Sequence, residues 1–148
     1  MRSSDVLRVF VIMPISGSDY HGKNAHSEDY WRDFYGIIET ALRVEHKTEI
    51  LELFRKRHIH VKRMESSQGN IIDAIIRDLI HADVVVAVLT DHNPNVLYEL
   101  AIRHSLAEGS SVMLLEKGQV IPFDLKVYGM ALYEDQSDMS ARISGELI

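Results

Sequence analysis

The chain contains no cysteine, which removes disulfides, thiolate nucleophiles and cysteine-rich zinc sites together. It also lacks an apolar run near the roughly 20 residues that span a bilayer. Its start, MRSSDVLRVFVIMP, has no charged segment, apolar middle and small-residue cleavage site of the kind that makes a signal peptide. A soluble, cytoplasmic protein without a membrane partner is the expectation. Positive charge is in deficit as well: the formal net charge is −6, whereas nucleic-acid binding usually shows as a strongly basic surface, so a nucleic-acid partner is not expected. Repeats and low-complexity tracts are absent.

What remains is 148 residues with 46% hydrophobic content, the size of one domain with enough apolar material for a core. We expect a single domain over residues 1–148. The end at ISGELI, soon after a short helical hint and without a clear cap, leaves open that it was excised from a longer chain. Residues 7–13 read as a buried strand, closed by Pro14 and by the small residues Ser16, Gly17 and Ser18, which begin a long loop. Ser27 is a good N-cap, with Glu28 and Asp29 in the first turn after it. Tyr30, Phe34, Ile37, Ile38, Ala41 and Leu42 then recur at helical spacing. Residues 48–57 fit neither period and stay unassigned.

A short strand over 59–64 leads into a loop containing Ser66, Ser67, Gln68, Gly69 and Asn70. The helix that follows turns Ile71, Ile72, Ile75, Ile76 and Leu79 inward. Residues 83–89 form the strongest strand, a β-branched run without polar alternation, as in a strand buried on both faces of a parallel sheet. A further strand is expected at 112–115 and a weaker one at 130–133. This alternation predicts an α/β protein with a flavodoxin-like, five-stranded parallel sheet of order 2-1-3-4-5 and helices on both faces. In that order ligands bind at the switch point between the first and third strands.

The loops after Pro14 and Leu89 would wall that crevice. Asn93 is a natural N-cap and Pro94 a natural first helical residue, which would leave free N–H groups for an anion or a ribose hydroxyl. Asn95 and Glu99 lie four apart and hence on one helix face. Glu99 and Arg103 are also four apart, so an exposed helix ion pair is the simpler reading of spacing alone. The loop carrying Ser67 and Gly69, like the one carrying Ser16, Gly17 and Ser18, suits either a phosphate cradle or a routine turn. Asp91 ends a central strand, where functional side chains concentrate, and His92 would carry protons only if turned inward. Asp73 and Asp78 read as solvated helix charge and Asp83 as a turn residue. The basic run FRKRHIHVKR (residues 54–63) reads as a solvated helix end or a phosphate-gripping patch. His58 and His60 share a strand face but lack a third ligand nearby, so no metal is expected.

The stretches VFVIMPI (residues 9–15), ESSQGNIIDAIIRDLIHADVVVAVLT (65–90) and NPNVLYELAIRHSL (93–106), with IPFDL (121–125), resemble the nucleoside 2-deoxyribosyltransferase-like family and the neighbouring bacterial TIR-like domains. The resemblance covers most of the chain and is weakest over 43–57. It implies a flavodoxin-like sheet and cleavage of an N-glycosidic bond of a nucleoside, a nucleotide or NAD, with Glu99 as the catalytic glutamate. It further implies that Pro14 and the loop after it hold base, ribose or phosphate, and that Asn93, Asn95 and Tyr98 line a sugar pocket. A homo-oligomer, a small-molecule nucleotide or nucleoside partner, no cofactor (NAD being substrate) and a role as a bacterial defence effector are implied in the same way. Two departures stand out. The transferases' additional aspartate has no clear counterpart, Ile75 and Ile76 standing nearest its place, and Ala101 replaces a frequent glycine, where its methyl would tighten packing against the sheet.

The chemistry gives the carboxylate a reason. Glycosidic cleavage builds positive charge on C1′ and the ring oxygen, so an anion in a partly dry crevice stabilises the transition state more than the substrate, or attacks C1′ itself. Nicotinamide leaves NAD neutral, whereas adenine or guanine leaves better with a general acid. With no second acid evident, NAD is favoured over a nucleoside or deoxynucleotide substrate. A non-catalytic nucleotide-binding signalling module is the alternative from another class.

Overall fold

A computed structural model describes residues 6–15, 26–43, 58–63, 71–107 and 109–134. Five strands form one sheet: β1 (Val6–Ile12), β2 (His58–Arg63), β3 (Val84–Val88), β4 (Ser110–Glu116) and β5 (Ala131–Tyr133). Every pairing is parallel and the order is β2-β1-β3-β4-β5, as the alternation of elements predicts. The helices are α1 (Glu28–Arg43), α2 (Ile71–His81) and α3 (Pro94–Leu106), with short 3-10 turns at Thr90–His92 and Phe123–Leu125. Among the described residues no helix is long and apolar enough to cross a membrane. The segment 48–57 and the candidate residues Ser16, Gly17, Ser18, Ser67 and Gly69 lie outside the described residues.

Successive strand residues face opposite ways, and the core divides accordingly. Val9, Val11, Val86, Val88 and Leu114 cluster with Trp31, Phe34, Ile38 and Leu42 of α1. Their neighbours Phe10, Ile12, Val85, Ala87 and Met113 cluster instead with Leu79 of α2 and with Val96 and Leu100 of α3. The parity of the strands therefore assigns α1 to one layer and α2 and α3 to the other. Ser27 caps α1 as expected, its Oγ accepting the Tyr30 N–H at 3.2 Å.

Two packing expectations need correction. In α2, Leu79 is fully buried, but Ile71 is 38% and Ile72 61% exposed. Ile71, in the first turn, borders a hollow that separates it from Phe10 of β1 and from His60, Val61 and Arg63 of β2. In α3, Ala101 faces solvent, and its methyl packs nothing against the sheet. Asp83 does more than turn the chain: its carboxylate accepts the Arg8 N–H at 2.8 Å, and its own N–H donates to the Arg8 carbonyl at 2.9 Å. It thereby ties the start of β3 to β1. Asp78 pairs with Lys62 at 2.6 Å.

Candidate active site

The inward face of α3 is made by Val96, Glu99, Leu100 and Arg103, the i, i+3, i+4, i+7 stripe that an amphipathic helix turns to its core. Two of the four are charged, and they do not pair. Arg103 is 1% exposed and donates to the carbonyls of Leu79 (2.5 Å) and Ala82 (2.9 Å), with longer contacts to those of Asp83 and Ser110. It neutralises the C-terminal end of α2, where carbonyls lack helical partners and a positive charge is favourable. The ion pair suggested by the spacing is replaced by this carbonyl cage. α3 returns antiparallel to the strands, so its later residues lie at their amino ends and its earlier residues at their carboxyl ends.

The cage leaves no room at Gly109, where a Cβ would overlap the Arg103 guanidinium. Gly36, in α1, has nothing within 4 Å of the same atom. Gly109→Ala is therefore expected to lower unfolding stability by about 1–3 kcal/mol through overpacking. Gly36→Ala should raise stability by roughly 0.5–1 kcal/mol, since alanine is the better residue in a helix interior. Urea unfolding of the two variants side by side separates these opposite signs.

Glu99, one turn earlier, meets a different environment. Its side chain lines a cleft of about 200 Å³ with Ile12, Pro14, Arg63, Asn93 and Asn95. The cleft sits at the carboxyl ends of β1 and β3, where the chain leaves neighbouring strands toward opposite layers, which is the switch point of this topology. Glu99 is 7% exposed, and among the described residues it has no hydrogen-bond or ion-pair partner. Burial alone pushes its carboxyl up to about 7, because desolvation disfavours the charged form.

The start of α3 is shaped by strain and by its cap. Asp91 and His92 take φ of 65° and 49°, the left-handed region that costs non-glycine residues energy and that clusters at functional sites. This turn delivers Asn93, whose Oδ1 accepts the Asn95 N–H at 2.9 Å. The Leu97 N–H goes to the Asn93 carbonyl, and Pro94 has no N–H. Of the expected free donors, Pro94 thus has none and that of Asn95 is taken by the cap, whereas the Leu97 bond is the first of the helix itself.

Asp91 and Tyr98 do not join the cleft lining. Tyr98 is 64% exposed. Asp91 accepts the backbone N–H and the Nδ1 of His26 at 3.0 and 2.9 Å, and its own N–H donates to Gln119 Oε1 at 2.8 Å. The carboxylate therefore clips the entry to α1 against the end of β3. His26, stacked on Tyr30 at 3.9 Å between ring centroids, completes a clip that no sequence pattern announces. His92 Nε2 is 2.6 Å from the Val120 carbonyl, so this nitrogen is committed to the loop after β4. Thr90 and Tyr133, both fully buried, share a hydrogen bond of 2.6 Å, and burial pushes the Tyr133 hydroxyl well above its usual range. Among the described residues no group of three or more metal-ligating side chains comes together.

Arg63 is the cleft residue that sequence reasoning did not assign. It ends β2, and only the adjacency of β2 to β1 brings it to the switch point. The signal available was the basic run itself, whose last member stands at a strand's carboxyl end. The brought-together set is thus Pro14, Arg63, Asn93, Asn95 and Glu99. Comparison with known protein families and with curated proteins gives no match to this chain.

Proposed function

We propose that the chain cleaves the N-glycosidic bond of NAD or a related nucleotide, with Glu99 facing the anomeric carbon. The observation that carries this reading is a buried carboxylate with no partner among the described residues, lining the switch-point cleft. A helix ion pair would have solvated or neutralised it; a carboxylate left desolvated gains most when positive charge develops beside it.

In the reaction the C1′–N bond breaks and its electron pair leaves with the base, while an oxygen nucleophile forms the new bond to C1′. With NAD, water supplies that oxygen, nicotinamide departs neutral and one proton is released to Glu99 or solvent. Where Glu99 attacks first, its Oε–C1′ ester is then opened by water, giving the same products. Asn93 and Asn95, at the cleft's rim, have amides suited to sugar hydroxyls.

The elevated Glu99 carboxyl also favours a second reading. A glutamic acid still half protonated near pH 7 can itself serve as the general acid that an adenine or guanine leaving group requires, so nucleosides and deoxynucleotides stay within reach of this site.

Incubation with NAD, nucleosides and deoxynucleotides, with released bases identified by mass, tests both. Nicotinamide from NAD supports the first reading, and free purine from nucleosides or nucleotides without nicotinamide supports the second. Tight nucleotide binding by calorimetry with no product at high protein concentration would replace catalysis by a binding module.

A further inference from the structure

We propose that Arg63 is the specificity-determining residue of this cleft and selects substrates bearing a phosphate on the sugar. The inference rests on the reading of Glu99 as the group facing C1′. Three observations support it. Arg63 lines the same cleft as Glu99, yet no described carboxylate pairs with it. Its guanidinium carbon stands 4.7 Å from the centroid of the Tyr35 ring, a contact that uses the planar face and leaves the edge N–H groups for a ligand. Among the described residues, the cation beside it in β2 is occupied, Lys62 pairing with Asp78, and Arg103 lies at the opposite, amino ends of the strands, bound to backbone carbonyls.

The alternative source of positive potential is weak here. At the α3 terminus Pro94 has no N–H and that of Asn95 is taken by the Asn93 side chain, and the chain's formal charge of −6 gives an anion no general attraction. A cation and a carboxylate that share a cleft without pairing complement a ligand with opposite charges at its two ends. A phosphorylated sugar in glycosidic cleavage has that form, its phosphate anionic and its C1′ becoming cationic. Arginine suits the first end because its N–H fork matches phosphate oxygens two at a time.

The test compares adenosine with adenosine 5′-monophosphate and nicotinamide riboside with nicotinamide mononucleotide, scoring kcat/KM for base release. Wild type is expected to prefer the phosphorylated member of a cleaved pair by roughly 10- to 150-fold, as a charge-assisted hydrogen-bonded contact supplies. Arg63→Met should collapse that ratio toward one, mainly through KM, and Arg63→Lys should keep part of it. A merely structural role would lower both members alike and leave the ratio standing, which overturns the proposal, as would a wild type indifferent to the phosphate. Should no base be released from any compound, the glycosidic reading fails separately. Calorimetry of adenosine 5′-monophosphate against adenosine, in wild type and Arg63→Met, then decides the role of Arg63: loss of a phosphate-dependent preference upholds it, and equal binding in both proteins refutes it.

Discussion

Glu99→Gln is expected to lose base release by a factor on the order of 10²–10³ or more while the folded protein becomes more stable above pH 7. The two effects share one cause, the burial that pushes the carboxyl up to about 7 from the ordinary glutamate value of 4.5. A folded-state value above the unfolded one means that the native protein holds the proton more tightly. Below about 4.5 the group is protonated in both states and costs nothing. As pH rises through 4.5 toward 7 the unfolded chain ionises first, and stability falls; above about 7 the penalty is complete, as much as ~3 kcal/mol at 1.36 kcal/mol per unit. Glutamine, uncharged and of similar size, escapes it. The stability gap between variant and wild type in chemical denaturation should therefore be widest and flat above pH 7 and should close as pH approaches 4.5. A gap independent of pH would mean that Glu99 is not desolvated and would overturn its assignment to the site.

The same titration discriminates the roles of the carboxyl in catalysis. If the anion is required, kcat/KM climbs with pH and levels off above about 7; if the acid form donates to a leaving base, it declines over that interval. Each limb reports the free enzyme, so the inflection belongs near the value that burial sets. A functional group that makes its own protein less stable is the usual trade between activity and stability. On the proposed function, that relation would account for a charge between Val96 and Leu100 on the inward stripe of α3.

Arg103→Met is expected to be the most destabilising single change among the residues discussed. It strands carbonyls of Leu79 and Ala82 that the guanidinium now satisfies, and breaking a buried charged network by removing one partner costs about 3–5 kcal/mol. For a chain of this length that lowers Tm by roughly 6–20 °C. Arg103→Lys keeps the charge but not the planar fork, and should fall between the two. Because Arg103 serves the amino ends of the strands, Arg103→Lys should leave the pH at which activity inflects in place. A moved inflection would mean that Arg103 and Glu99 are electrostatically paired after all, and a thermal shift of only a degree or two in Arg103→Met would show the cage to be dispensable.

Each part of the molecule was legible in the sequence to a different degree. The unbroken β-branched run VVVAV announces a strand with helices over both its faces, because no polar alternation leaves either side for water. With α1 marked by the stripe from Phe34 to Leu42, and Asn93-Pro94 marking the start of α3, the parallel arrangement followed from the alternation of elements and the order 2-1-3-4-5 from its being the commonest for five strands. The errors are where local spacing cannot see the third dimension. Glu99 and Arg103 satisfy the i,i+4 rule, but α3 lies along the sheet between two ends of opposite character, carbonyls at one and an open cleft at the other. Ile71 and Ile72 fit the helical stripe of α2, yet the first turn stands over a hollow.

By itself, then, the sequence determined the elements, their parallel arrangement and the position of a carboxylate one turn into α3, since periodicity, capping and β-branching act within a few residues. Only the tertiary structure decided that Glu99 is buried and, among the described residues, unpaired, that Arg103 belongs to a carbonyl cage and that Arg63 enters the cleft. Those outcomes depend on desolvation and on partners brought from β2 and from the end of α2, some twenty or more residues away, and no local pattern encodes them.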